Sequence, residues 1–205
     1  ENNKTLNKKV DNDLSILFKQ LKICVAASTH NTEEIFAGKA HLILKKKHRN
    51  FITIIIPRHV HRANKIFEQL EALNLKVVYH SSKNKNLNGV DIYIVDTFGE
   101  SKKFYKIATT VFLGGSLINH GGQNPIEPAR FGTKILHGPN IGNFKEVYKN
   151  LKNLKISKKI TTPIEFANSN VFKKNMQKVG KINYQGKVIL KKTIKELNKS
   201  INNEL

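Results

Sequence analysis

The 205-residue sequence predicts an α/β fold, a Rossmann-like parallel sheet with helices on both faces. Three observations carry that expectation. Short apolar runs alternate with amphipathic stretches from residue 21 onward. One run, FITIIIP at 51–57, is continuous and β-branched, the pattern of a strand buried on both faces. All but the third of the loops that would follow the strands carry glycine or polar punctuation, whereas those that would precede them carry mostly Lys and Asn.

Taken in order, residues 1–20 are polar with one short apolar turn and read as a linker or lead-in. Residues 21–27 (LKICVAA) read as the first strand. Residues 31–47 form a helix with Ile35, Leu42 and Ile43 on one stripe and acids near its start, where they suit the helix dipole. Then follow a strand at 51–57, a helix at 61–74, strands at 75–80 and 90–96 separated by a polar loop at 83–88, and a helix at 101–109. A strand at 110–115 leads into a glycine-rich stretch. A short helix at 124–132 has Pro near its start and Gly132 at its end, and a strand at 133–138 follows. Amphipathic segments continue from there, without internal repeats, so that 21–205 reads as one domain ending in a helical tail.

Composition narrows the class. Hydrophobic residues make up 39%, enough for a core. The lone cysteine, Cys24, lies in an apolar run and reads as a buried thiol in a reducing compartment. No window has the form of a signal peptide or reaches transmembrane length. The only methionine is Met176, so Glu1 reads as an internal start within a longer protein. The net charge of +21 favours anionic partners: nucleic acid, phosphorylated ligands or an anionic membrane surface. A solvated lysine face needs no partner, and both readings stand. From 149 to 205 there are fourteen Lys against three Glu, which suits acidic lipid or a solvated tail equally.

In open parallel sheets ligands bind outside the carboxyl ends of the strands. That rule selects Ser28, Thr29 and His30 after the first strand, Pro57 and Arg58 after the second, and Phe98, Gly99 and Glu100 after the fourth. After the fifth come Gly114, Gly115 and Ser116, then Asn124, Pro125, Ile126 and Glu127. Arg58 suits a phosphate or carboxylate, or is a plain surface arginine. The amides of Gly114, Gly115 and Ser116 suit an anion, or simply make a tight turn. Asn124 reads as a helix N-cap whose helix end faces the same anion. Glu127 suits the vicinal hydroxyls of a ribose, or complements the helix dipole. His30, His59, His120 and His137 fall on this face but on separate loops without ligand spacing, so neither a metal nor any other cofactor is expected. There is no G-x-S-x-G elbow, Walker sequence or G-x-G-x-x-G fingerprint. The residues therefore point to a nucleotide-like anion.

The stretch GGSLINHGGQNPIEPA at 114–129 resembles the signature of 3-deoxy-D-manno-octulosonic acid (Kdo) transferases. The resemblance continues through ASTHNTEE at 27–34, IPRH at 56–59, DTFGE at 96–100 and HGPNIGNF at 137–144, in that family's order. It implies one half of a GT-B glycosyltransferase, the carboxyl-terminal domain that binds CMP-Kdo. Transfer to a lipid A precursor in lipopolysaccharide biosynthesis would then use a base and an acceptor site in an amino-terminal domain. By motif, CMP contacts fall to Pro57, Arg58, Phe98, Gly99, Glu100, Asn124, Pro125, Ile126 and Glu127, with Ser28, Thr29, His30, Gly114, Gly115 and Ser116 as a possible donor loop. The resemblance further implies a place on the cytoplasmic side of the inner membrane, peripheral or anchored through the amino-terminal part. Phe98 stands where the family has Met, Gln123 where it has His, and Asn119 where it often has Pro. Competing readings are a UDP-sugar transferase or epimerase of the same architecture, and a structural half that binds nothing alone. A basic nucleic-acid module would need aromatics interleaved with Lys or Arg, which the sequence lacks, so nucleic acid is not expected.

Overall fold

The computed structural model describes residues 16–83, 86–170, 172–180 and 182. Among these residues seven parallel strands form one sheet: β1 (Lys22–Thr29), β2 (Phe51–Pro57), β3 (Val77–Tyr79), β4 (Ile92–Ile94), β5 (Thr110–Leu113), β6 (Lys134–His137) and β7 (Ser157–Lys159). Their order is β3-β4-β2-β1-β5-β6-β7. From β1 the chain winds outward to β2, the edge strand β3 and then β4, and crosses to β5 on the other side of β1. The direction of winding therefore reverses between β1 and β5, the place where such sheets open a crevice at their carboxyl ends.

All seven residues of β2 are buried, as the β-branched run requires. Alternation along β1 splits the core into two layers. Ile23, Val25 and Ala27 face one layer with Phe104, Tyr105, Ala129, Tyr148 and Leu151. These come from α3 (Ser101–Ile107), α4 (Ile126–Ala129) and α5 (Lys145–Asn153). Cys24 and Ala26 face the other layer, where α1 (Glu33–Lys47), α2 (Ala63–Glu71) and α6 (Pro163–Ser169) bring Leu44, Ile66, Leu70 and Phe166. Cys24 is fully buried, and burial pushes its thiol up to about 12, so it is packing material rather than a nucleophile.

The structure departs from the sequence reading in three places. The helix expected over 124–132 is a single turn, Ile126–Ala129. A seventh strand exists at the β6 edge, too short and lysine-rich to show an apolar pattern. Phe18, inside the supposed lead-in, is 2% exposed and its ring meets Tyr93 edge-on at 5.2 Å. The domain thus starts upstream of residue 21, while residues 1–15 and the expected tail helix beyond 182 lie outside the described residues.

One polar cluster is built into the second layer. His41 of α1, fully buried, reaches Thr53 Oγ1 of β2 at 3.0 Å and Asp91 Oδ1 at 3.2 Å. Asp91 also accepts from Lys45 and from the Lys76 amide. Burial alone would raise the Asp91 carboxyl, but hydrogen bonds from His41, Lys45 and the Lys76 amide hold it well below the usual range. A depressed carboxylate adds stability above its unfolded pKa of about 4 and loses it as pH falls through the folded value. Asp91→Ala is therefore expected to lower the unfolding free energy by about 3 kcal/mol at neutral pH, measured with denaturant. The variant is also expected to lose the part of the acid sensitivity that lies below pH about 4. An unchanged midpoint would contradict this account of the cluster.

Candidate functional site

At the carboxyl end of β1 the backbone leaves regular geometry. Ser28 takes φ 54°, coincident with a register break against β2 between Ala27 and Thr29, and Thr32 takes φ 78°. Left-handed backbone is uncommon for serine and costly for a β-branched threonine, so surrounding contacts must hold it. Those contacts centre on Glu33. Its carboxylate is fully buried and accepts four backbone N–H bonds: from His30 (2.9 Å) and Gly115 (2.7 Å) at Oε2, and from Ser116 (3.1 Å) and Leu117 (3.0 Å) at Oε1. One side chain from the start of α1 thus clamps the β1 loop to the β5 loop with charge-assisted bonds.

This corrects the sequence expectation for the glycine-rich loop. The amides of Gly115 and Ser116 donate to Glu33 rather than to a ligand, and that of Gly114 donates to Ala27 O at 2.9 Å. Gly114 is required by close approach: a Cβ there would lie 2.6 Å from Thr29 Cα and 2.7 Å from Glu33 Oε2. Ser116 is buried and structural. Its hydroxyl donates to Leu113 O at 2.5 Å and accepts from the Gly138 amide at 2.8 Å, tying β5 to the loop after β6. The anion that completes this nest was in the sequence, in the HNTEE segment, but dipole complementarity explained it there without a partner.

Around the clamp lie the side chains that remain available. Pro57, Arg58, Phe98, Gly99 and Glu100 line one cleft with Ser28, of about 120 Å³. The Arg58 amide donates to Thr29 O at 3.0 Å, which fixes the loop, while its side chain is exposed without an ion pair among the described residues. Phe98 is 81% exposed, an apolar ring at the cleft rim that nothing among the described residues buries. Asp96 holds this loop from behind by accepting from the amide and hydroxyl of Ser81. Gly99 takes φ 78°, and Glu100 pairs with Lys103 at 2.7 Å.

Asn124 Oδ1 accepts from the Ile126 amide at 3.0 Å in a local turn, and the N-cap position falls on Pro125, one residue after the one the sequence indicates. A one-turn helix with that amide already bonded offers little dipole to an anion. Pro125 is buried, and Glu127 is half-exposed. The Glu127 carboxylate lies 3.4 Å from Lys102 Nζ of α3, which joins the 124–127 segment to the helix that begins after the 98–100 loop.

Thr29 and His30 are buried, and among the described residues Thr29 Oγ1 and His30 Nε2 have no hydrogen-bond partner. His30, His120 and Gln123 converge over Gly115, each 3.4 Å from where a Cβ would sit. The His30 ring lies 4.3 Å from His120 and 6.0 Å from His59. Burial, then the potentials of His120 and His59, push His30 below the usual histidine range. His137 is not part of this group: it is buried against Tyr148 and its Nδ1 faces Gly138 O at 2.7 Å. Among the described residues no group of three or more His, Cys, Asp or Glu is arranged to hold a metal ion. Arg62 and Glu34, behind the cluster, form a two-point ion pair at 2.8 and 3.2 Å.

Comparison with known proteins gives a consistent set of relatives. The chain is 34% identical over 150 residues to 3-deoxy-D-manno-octulosonic acid transferase of Haemophilus influenzae, covering 73% of this chain and 35% of that protein. It is 32% identical over 139 residues to the probable mitochondrial 3-deoxy-D-manno-octulosonic acid transferase of Arabidopsis thaliana, covering 67% and 31%. The chain thus spans about a third of the length of these curated relatives. Among solved structures, the C-terminal CMP-Kdo binding domain of WaaA from Acinetobacter baumannii superposes with a TM-score of 0.72 at 24% identity, over 78% of this chain and 84% of that one. No family model matches the chain.

The clamp makes a prediction independent of any ligand. Glu33→Gln keeps the shape but replaces one acceptor with an amide donor facing backbone N–H groups. Unfolding free energy is expected to fall by about 2–4 kcal/mol, since bonds to a charged group contribute about 1.5–3 kcal/mol each. A denaturation curve matching the wild type would show that the four bonds do not hold the loops.

Proposed function

The chain belongs to the Kdo transferase family, and from that premise we propose that it is the donor-binding half of such an enzyme, holding the CMP moiety of CMP-Kdo. The observation that carries the reading is a convergence. Residues 57–58 and 98–100, assigned to CMP by motif, line one cleft, and 124–127 adjoin it through the Lys102–Glu127 pair.

In this reading Arg58 meets the nucleotide's phosphate or base, and the exposed ring of Phe98 packs on the cytosine. Glu127 accepts from the ribose hydroxyls, with Lys102 tempering its repulsion of the phosphate. The amides of Gly115 and Ser116 are committed to Glu33. The charge of the leaving phosphate and of the Kdo carboxylate therefore falls to Arg58 and to His30, His59 and His120. Cations and dipoles aimed at developing charge are the chief catalytic resource in such a site. The general base and the lipid A precursor site belong to the rest of the enzyme, which works at the cytoplasmic surface of the inner membrane. Among the described residues no helix is long and apolar enough to cross a membrane, and surface attachment through basic residues fits this reading.

Calorimetric titration tests the donor assignment. CMP is expected to bind in preference to UDP. Glu127→Gln should weaken CMP at least tenfold, because each bond to the charged group contributes about 1.5–3 kcal/mol, yet leave 2′-deoxy-CMP nearly unaffected. Arg58→Ala should weaken both alike. Unchanged CMP affinity in Glu127→Gln, with only a small loss of thermal stability, would reduce Glu127 to a dipole-complementing acid.

A further inference from the structure

We infer that a lysine-rimmed groove at the β6–β7 edge of the sheet is a docking site for the phosphate headgroups of an anionic lipid surface. Lys145, Lys149 and Lys152 repeat at one-turn spacing and form a single stripe along α5. Lys159 faces that stripe from β7, while Lys158 alternates to the α6 side of the strand, and the groove along this edge encloses about 500 Å³. Its floor is apolar, made by Ile141 and the edges of the buried Tyr148 and His137 rings. All five lysines are exposed, and none has an ion pair among the described residues.

The acids nearby do not neutralise the groove. Glu146 lies about 100° around α5 from Lys145. Glu165 of α6 is already bonded to Thr161 and Thr162, and Lys158 adds only a weaker pull on it. The positive field converges inward, since Lys159 and Lys152 both help to depress His137 beyond the effect of its burial. Lysines on an edge strand can serve simply to block strand pairing. That does not explain a row on the neighbouring helix, which faces Lys159 across an apolar floor. Lysine stems over apolar surface with ammonium heads outward match a phosphate headgroup set above acyl chains. A nucleic-acid strand would want exposed aromatic faces for its bases, and here the Tyr148 ring is buried with its hydroxyl donating to Gln123 O at 3.0 Å. The groove runs along the β6–β7 edge, from Lys152 and Ser157 to Lys145, Ile141 and His137 at the carboxyl end of β6.

The inference deepens the membrane part of the proposed function and takes its biological sense from that reading, although vesicle binding is measured independently of it. The full chain is sedimented with phosphatidylcholine vesicles, with and without phosphatidylglycerol, across a salt series. Binding is expected only to the anionic vesicles and should fade with salt. Lys145→Gln/Lys149→Gln/Lys152→Gln should weaken it tenfold or more, on the order of the contribution of three surface lysines. A control with the same charge loss elsewhere, Lys39→Gln/Lys46→Gln/Lys65→Gln, should change it about threefold or less. Both variants should unfold as the wild type does, and CMP titration of the groove variant separates loss of docking from failure of the donor assignment. Equal losses in the two variants, undiminished binding in the groove variant, absence of binding by the wild type, or preferential binding of single-stranded RNA that the groove variant loses would each overturn the inference.

Discussion

The crevice of this domain depends on the buried carboxylate of Glu33. Four backbone N–H groups from two loops point at it, and it is fully buried. Unmet, those donors would each cost free energy comparable to a lost hydrogen bond, so the loops can lie together only because the acid is there. The left-handed Ser28 and Thr32, the bare Cα of Gly114 and the hydroxyl bridge of Ser116 all belong to one arrangement. It draws the ends of β1, β5 and β6 into contact and leaves side chains, not amides, to meet a ligand.

That constraint reshapes the chemistry of the site. A Gly-Gly-Ser turn at the end of a parallel strand suggests a phosphate cradle, as in many nucleotide folds. Here an internal anion fills the cradle, and the side chains left available are Arg58, the histidines over Gly115 and Lys102 beside Glu127. Such a site would meet an anion through side chains, while its loop amides stay bonded to Glu33.

Much of the fold was legible in the sequence. The apolar run of β2 announced a strand covered on both faces, and the alternation of strands with amphipathic helices announced the parallel sheet. The cleft residues were legible because loops after strands carry the unusual residues, and Arg58, Phe98 and Glu100 do share one cleft. The role of Glu33 was not, because three of its four donors lie more than eighty positions away and a first-turn acid already has a local explanation. Nor was β7, whose outer residues are lysines on a short edge strand, or Phe18, a single apolar residue in a polar run that finds Tyr93 only in three dimensions. Single-turn α4 was overestimated because Pro and Gly mark plausible ends without fixing how much helix lies between them.

The central claim is that a nucleotide binds beside the Glu33 clamp through side chains, not through the amides that the clamp already holds. Amide chemical-shift mapping during titration with CMP tests it most directly. The account predicts saturable shifts at Arg58, Gly99, Glu100, Ile126 and Glu127, with hydrogen-exchange protection at Gly115, Ser116 and Leu117 the same with and without CMP. Saturation without shifts at the cleft, or new protection at those three amides as CMP binds, would contradict it.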